Sequence, residues 1–104
     1  MPDLRVLVVE DGPVAAEAHR TYVDRLPGFS CLGIAGTAAR ALQVLSREQV
    51  DLVLLDMKLP DGHGLDVVRR MRAAGNQTDV VAVTAAREVA AVQAAARIGV
   101  VQSC

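Results

Sequence analysis

Two patterns of hydrophobic and polar positions alternate along this chain: short unbroken apolar runs, and longer stretches in which apolar residues recur every three or four positions. Leu4 to Val9 is nearly all apolar and β-branched, as a strand buried on both faces requires. Glu10, Asp11 and Gly12 end it. Pro13 then suits the first turn of a helix, where its missing N–H has no partner to lose. Val14, Ala15, Ala18, Tyr22, Val23 and Leu26 follow at helical spacing until Pro27-Gly28 closes that helix. Cys31 to Gly36 is a second strand-like run. Thr37 is placed to cap a helix whose stripe is Ala38, Ala41, Leu42 and Leu45 and which ends near Arg47. Asp51 to Asp56 is the strongest strand signal, and Met57 to Gly64 reads as a loop from its Pro and Gly content. Leu65, Val68, Met71 and Arg72 form a third helix that Gly75-Asn76 stops. Asp79 to Val83 is a fourth strand ending at Thr84, Arg87 to Arg97 an Ala-rich fourth helix, and Gly99-Val100-Val101 the start of a fifth strand. Strands alternating with helices predict a parallel sheet covered on both faces, because each crossover lays a helix on the sheet.

Composition narrows this picture without changing it. The 104 residues fit one domain, residues 1–104, and 52% hydrophobic residues with only 2% aromatic ones predict an aliphatic core. A net charge of −1 gives no basic surface for nucleic acid. Cys31 and Cys104 are far apart and form no CxxC, which argues against zinc or a disulfide framework and for a reduced, cytoplasmic setting. No apolar run approaches the roughly 20 residues of a membrane span.

The carboxylates change the picture most. Glu10 and Asp11 follow the first strand and Asp56 ends the third. In an open parallel sheet, ligands bind beyond the carboxyl ends of the strands. If the first and third strands are neighbours, these side chains converge on one crevice, with Thr84 on the same edge. Crowded carboxylates raise at least one pKa, and a hard cation such as Mg²⁺ relieves the repulsion with few protein ligands. Asp56 would remain ionised and able to attack phosphorus, and Thr84 offers a hydroxyl to a phosphoryl oxygen. Taken singly, each acid reads as a turn or helix-start residue, and Thr84 as a cap for the fourth helix. His63, between glycines, reads as a solvated loop residue, His19 as an exposed helix residue, and Asp61 and Asp66 as turn and first-turn acids.

At these residues the sequence resembles the receiver domains of bacterial two-component response regulators. Val6 to Asp11 resembles the family's first strand and acidic pair, Asp51 to Gly62 its acceptor strand and loop, and Val80 to Ala85 its fourth strand with a switch hydroxyl. The resemblance implies a flavodoxin-like, doubly wound α/β sheet of strand order 2-1-3-4-5. It implies Asp56 as phosphoacceptor, Mg²⁺ held by Glu10, Asp11, Asp56 and the backbone carbonyl of Lys58, and Thr84 as phosphoryl contact. Lys58 and Ala86 fall at positions that tune autodephosphorylation in the family. It also implies a sensor histidine kinase as partner, no enzymatic turnover beyond self-phosphorylation and autodephosphorylation, and DNA contact only through an output domain outside this chain. Val83 to Glu88 followed by Gly99 to Gln102 resembles the citrate and C4-dicarboxylate sensing branch.

The sequence departs from the family pattern after Gln102. An aromatic residue, a Lys and a Pro are expected there, whereas Ser103 holds the aromatic position and Cys104 ends the sequence. The resemblance therefore predicts a receiver shortened at its C-terminus, with a curtailed fifth strand, no fifth helix, the phosphoryl-pairing Lys absent and switching impaired. It predicts the edge of the fourth strand exposed and self-association, as a homodimer or larger, through uncovered sheet. Two other readings stand beside it. A pseudo-receiver would bind partners without phosphorylation. An aspartyl-nucleophile phosphatase would carry a second Asp where Lys58 stands.

Overall fold

A computed structural model of the chain describes residues 3–83 and 100–102. Its main sheet consists of β1 (Leu4–Val9), β2 (Phe29–Ala35), β3 (Leu52–Asp56), β6 (Asp79–Val83) and β7 (Val100–Gln102). These strands are parallel throughout, in the order β2-β1-β3-β6-β7. Three helices are described: α1 (Pro13–Arg25), α2 (Ala38–Arg47) and α3 (Gly64–Ala73). Counting only the main-sheet strands, the order is the 2-1-3-4-5 that the sequence implies. The fourth helix expected over Arg87 to Arg97, and Thr84, lie outside the described residues.

The strands buried on both faces are those with the longest apolar runs. Val6, Leu7, Val8 and Val9 of β1 are all buried, so no alternation is visible in that segment. Along β3 and β6 burial alternates. Val53, Leu55, Val80 and Ala82 lie in the core formed with α2 and α3, whereas Leu54, Val81 and Val83 on the opposite face are half-buried. The core is aliphatic, with Met57 and Met71 filling the space between sheet and helices.

Local signals explain the ends of α2 and α3. Thr37 Oγ1 accepts from Arg40 N at 3.1 Å, the expected N-cap. After α3, Gly75 takes φ 85, while Gly75 N donates to Arg72 O and Asn76 N to Met71 O, both at 2.9 Å. This paired closure needs the left-handed residue that glycine supplies.

Five expectations are corrected. The segment after β3 is not only loop: β4 (Lys58–Leu59) and β5 (Gly62–His63) pair antiparallel around a turn at Pro60-Asp61. The stripe assigned to α1 is right at Val23, which is buried, and at Ala15 and Leu26, which are half-buried, but not at its other positions. Val14 (86% exposed), Ala18 and Tyr22 (64%) face outward, whereas Ala16 and Val23 are buried and His19 is half-buried rather than exposed. Among the described elements the helix packs mainly against β2 and β1, and Ala16 and Val23 are its buried residues. The second strand starts earlier than expected, at Phe29, and carries a bulge opposite Val6 and Leu7. The edge of β6 is not left bare, since Val80, Val81 and Ala82 pair with Val100, Val101 and Gln102. Last, His63 is not a solvated loop residue but the cap of α3, as described next.

Candidate functional site

The site begins with register. β1 and β3 are neighbours, and Val9 stands opposite Leu55, which sets Glu10 and Asp56 side by side at the carboxyl edge of the sheet. Glu10 is the first residue after β1 and Asp56 the last of β3, so both carboxylates reach water at that edge. The result is a group of three acids, Glu10, Asp11 and Asp56, whose ligand oxygens all lie within 4.8 Å of one another. Glu10 and Asp56 are half-buried and Asp11 is exposed, so the cluster sits at the mouth of the crevice.

Electrostatics agree with the crowding. Burial, more than any other cause, pushes the Glu10 carboxyl above its ordinary range, and the neighbouring Asp56 and Asp11 push it the same way. The Gly12 N–H, which donates to Glu10 Oε2 at 3.2 Å, pulls in the opposite direction without winning. Three hard oxygen donors that repel one another when ionised fit a divalent cation such as Mg²⁺, which accepts few protein ligands and keeps several waters. Among the described residues no His or Cys belongs to this cluster, and its hard oxygen donors suit a hard cation.

Asp56 is oriented by the chain that follows it. Lys58 N donates to Asp56 Oδ1 at 3.2 Å. Gly64 N donates to Met57 O at 2.8 Å, closing the loop at its base. A Cβ on Gly64 would lie 2.6 Å from Asp56 O and 3.0 Å from Met57 Cα, so only glycine lets the start of α3 approach the end of β3 this closely. His63 then caps α3. Its Nδ1 accepts from Leu65 N at 3.1 Å, and Asp66 Oδ2 accepts from His63 N at 3.4 Å.

Two further acids turn out to be structural. Asp51 Oδ2 accepts from Arg5 N at 2.8 Å, and Asp51 N donates to Arg5 O at 2.9 Å, which fixes the start of β3 beside β1. Asp61 accepts from Ala38 N at 2.7 Å and Ala39 N at 3.0 Å, so it serves the N-terminus of α2 rather than the helix it precedes. The thiol of Cys31 is pushed up by burial and is a poor nucleophile.

Of the residues the sequence singled out, Glu10, Asp11 and Asp56 are brought together and Lys58 stands beside them. Thr84 lies outside the described residues, one position past Val83, which pairs with Asp56. Gly64, His63 and Asp61 are the residues whose part sequence reasoning missed. Only Gly64 left a signal, as the second glycine of a Gly-His-Gly run placed just before a helix.

Comparison with known proteins follows this geometry. The family description "Response regulator receiver domain" matches residues 6–103. The transcriptional regulatory protein DpiA of Escherichia coli is 40% identical over 97 residues, covering 93% of this chain and 43% of that protein. MalR, a transcriptional regulatory protein of Bacillus subtilis, is 35% identical over 98 residues, covering 94% of this chain and 42% of that protein. The C4-dicarboxylate response regulator DctR of Priestia megaterium is 34% identical over 92% of this chain. The chain thus spans less than half the length of these relatives. Among solved structures, the MaeR response regulator bound to beryllium trifluoride superposes with a TM-score of 0.77 at 35% identity, over 97% of this chain and 83% of that one. The receiver domain of NarL from Mycobacterium tuberculosis superposes with a TM-score of 0.89 at 26% identity, over 98% of this chain and 82% of that one.

Proposed function

This chain belongs to the family of response regulator receiver domains, and we propose on that premise that it takes a phosphoryl group from a sensor histidine kinase onto Asp56. Glu10, Asp11, Asp56 and the backbone carbonyl of Lys58 would hold Mg²⁺ beside it. The observation that carries this reading is the convergence of Glu10, Asp11 and Asp56 within 4.8 Å at the end of two adjacent strands. When bound, Mg²⁺ supplies positive charge that offsets repulsion among the carboxylates and the incoming phosphoryl oxygens.

The chain's own residues do the rest. An oxygen of Asp56 forms the new O–P bond as the bond from phosphorus to the donor's histidine nitrogen breaks, and that nitrogen keeps the electron pair. The Lys58 N–H restrains rotation of the Asp56 carboxylate before attack. The Thr84 hydroxyl donates to a phosphoryl oxygen once it is in place. MaeR takes beryllium trifluoride, whose three fluorides around one centre have the shape of a phosphoryl group, and it supports an acceptor site in this fold.

The relatives are transcriptional regulators more than twice the length of this chain. The output proposed is therefore transcription, in the cytoplasm, through a DNA-binding domain outside these residues. DctR supports a dicarboxylate stimulus. The test is incubation with acetyl phosphate and Mg²⁺ followed by intact-mass measurement. One phosphoryl adduct is expected, lost in Asp56→Ala and lost on chelation. An adduct that persists in Asp56→Ala sinks the assignment.

A further inference from the structure

The loop after the acceptor strand is fastened at its tip to a helix that precedes it in the chain. Asp61 stands at the turn between β4 and β5, and its two carboxylate oxygens accept from Ala38 N at 2.7 Å and Ala39 N at 3.0 Å, across 23 and 22 positions of sequence. Thr37 already caps the same helix by accepting from Arg40 N. A helix start is ordinarily satisfied by its own cap together with water. The second, two-pronged acceptor is more than α2 needs, and because Asp61 is exposed its bonds add little to stability against competing water. What they do fix is position. At its base the loop is held by Gly64 N on Met57 O, and along its length by the pairing of Lys58 with His63 and of Leu59 with Gly62. Asp61 closes the last degree of freedom, that of the tip, three residues beyond Lys58.

We infer that Asp61 is a positioning residue for the acceptor site: by gripping the first turn of α2 it holds the 57–63 loop where Lys58 presents its N–H to Asp56 and its carbonyl to the cation. The inference rests on the reading of Asp56 and Lys58 given above. Released from α2, the loop tip drifts, the Lys58 carbonyl is no longer preorganised, and cation binding must bear the ordering of the loop. Outer groups that orient a ligand typically carry about tenfold in metal affinity.

The experiment measures Mg²⁺ affinity by titration calorimetry, and separately the rate of phosphorylation by acetyl phosphate as Mg²⁺ is raised. It uses the wild-type chain, Asp61→Ala, Asp61→Asn and Thr37→Ala. Thr37→Ala weakens the same helix start and leaves the grip of Asp61 in place. Asp61→Ala is expected to lose about tenfold in Mg²⁺ affinity and to shift the half-maximal Mg²⁺ concentration by the same factor. Its rate at saturating Mg²⁺ should return to that of wild type. Asp61→Asn, which keeps one acceptor oxygen, should fall between the two and keeps the test alive if the alanine variant does not fold. Thr37→Ala should bind Mg²⁺ like wild type. Unchanged affinity in both Asp61 variants overturns the inference, as does an equal loss in Thr37→Ala, which would trace the effect to helix stability. A wild-type chain that neither binds Mg²⁺ nor takes the phosphoryl group would instead overturn the acceptor reading itself.

Discussion

Among the described glycines, Gly64 is under the tightest constraint, and it lies beside Asp56. Its missing side chain is the space through which α3 reaches the peptide following Asp56, and any Cβ would press on Asp56 O and on Met57 Cα and Cε. Two of those neighbours are backbone and cannot swing aside. Gly64→Ala is therefore expected to cost about 1–3 kcal/mol, the usual range for overpacking, read as a lowered urea midpoint with an unchanged slope. Asp61 gives a pH signature at the same scale. The Ala38 N–H, and then the Ala39 N–H, hold its carboxyl below the ordinary 3.8. A depressed folded-state pKa contributes stability that is present above the unfolded value and lost as pH falls through the folded one. Because Asp61 is exposed the effect is small: the urea midpoint should dip slightly as pH falls below about 4, and Asp61→Asn should remove that dip. The acids that matter were readable from the sequence, because strand-terminal carboxylates on one sheet edge are a local signal repeated at Glu10, Asp11 and Asp56. The grip of Asp61 on Ala38 was not, because it spans 23 positions and nothing near Asp61 distinguishes it from a turn residue. The same holds for His63. Imidazole is an uncommon cap, and only the placed ring shows Nδ1 accepting from Leu65 N.

Among the elements, strands and helices were legible to different degrees, and burial explains why. β1 shows a long apolar run because it is buried on both faces, and β3 because the face turned away from the core is still half-buried. α2 shows a stripe that matches its buried face, Ala38, Ala41 and Leu45, whereas the α3 stripe matches at Val68 and Met71 but leaves out the buried Val67 and includes the half-buried Leu65 and Arg72. α1 misled because it is apolar beyond what it buries. Val14 and Tyr22 lie on the stripe drawn from the sequence yet face outward, while Ala16, off that stripe, is covered. Stability should follow the observed face. Val23→Ala is expected to cost about 2 kcal/mol, from lost burial and the small cavity left behind. Tyr22→Lys, on the exposed face, should stay within about 0.5 kcal/mol. Equal losses from the two substitutions in chemical unfolding would mean that α1 is rotated from the orientation described. The short pairing of Lys58–Leu59 with Gly62–His63 escaped sequence reading for another reason: two residues a side leave no alternation to detect.

For the molecule as a whole, the acidic site works against the fold until a cation arrives. Burial and the adjoining carboxylates raise the Glu10 pKa, so ionising this group disfavours the folded state. The sign follows directly: a carboxyl whose folded value lies above its unfolded value contributes stability at pH below the unfolded value and loses it as pH rises through the folded one. At neutral pH that contribution is gone. Without Mg²⁺, Glu10→Gln is therefore expected to be more stable than wild type, by roughly 0.5 kcal/mol for a partly solvated charge. A cation that binds only the folded state reverses the order. Wild type should gain stability with the logarithm of Mg²⁺ once its dissociation constant is passed, about 2.7 kcal/mol at a hundredfold excess. Glu10→Gln, lacking a ligand, should gain much less, so the two melting curves should cross as Mg²⁺ is raised in thermal scans at pH 7. Parallel curves would show that Glu10 neither crowds the site nor holds the ion. A crossing would show that one arrangement of three carboxylates both disfavours the metal-free fold and makes the metal-bound one the more stable state.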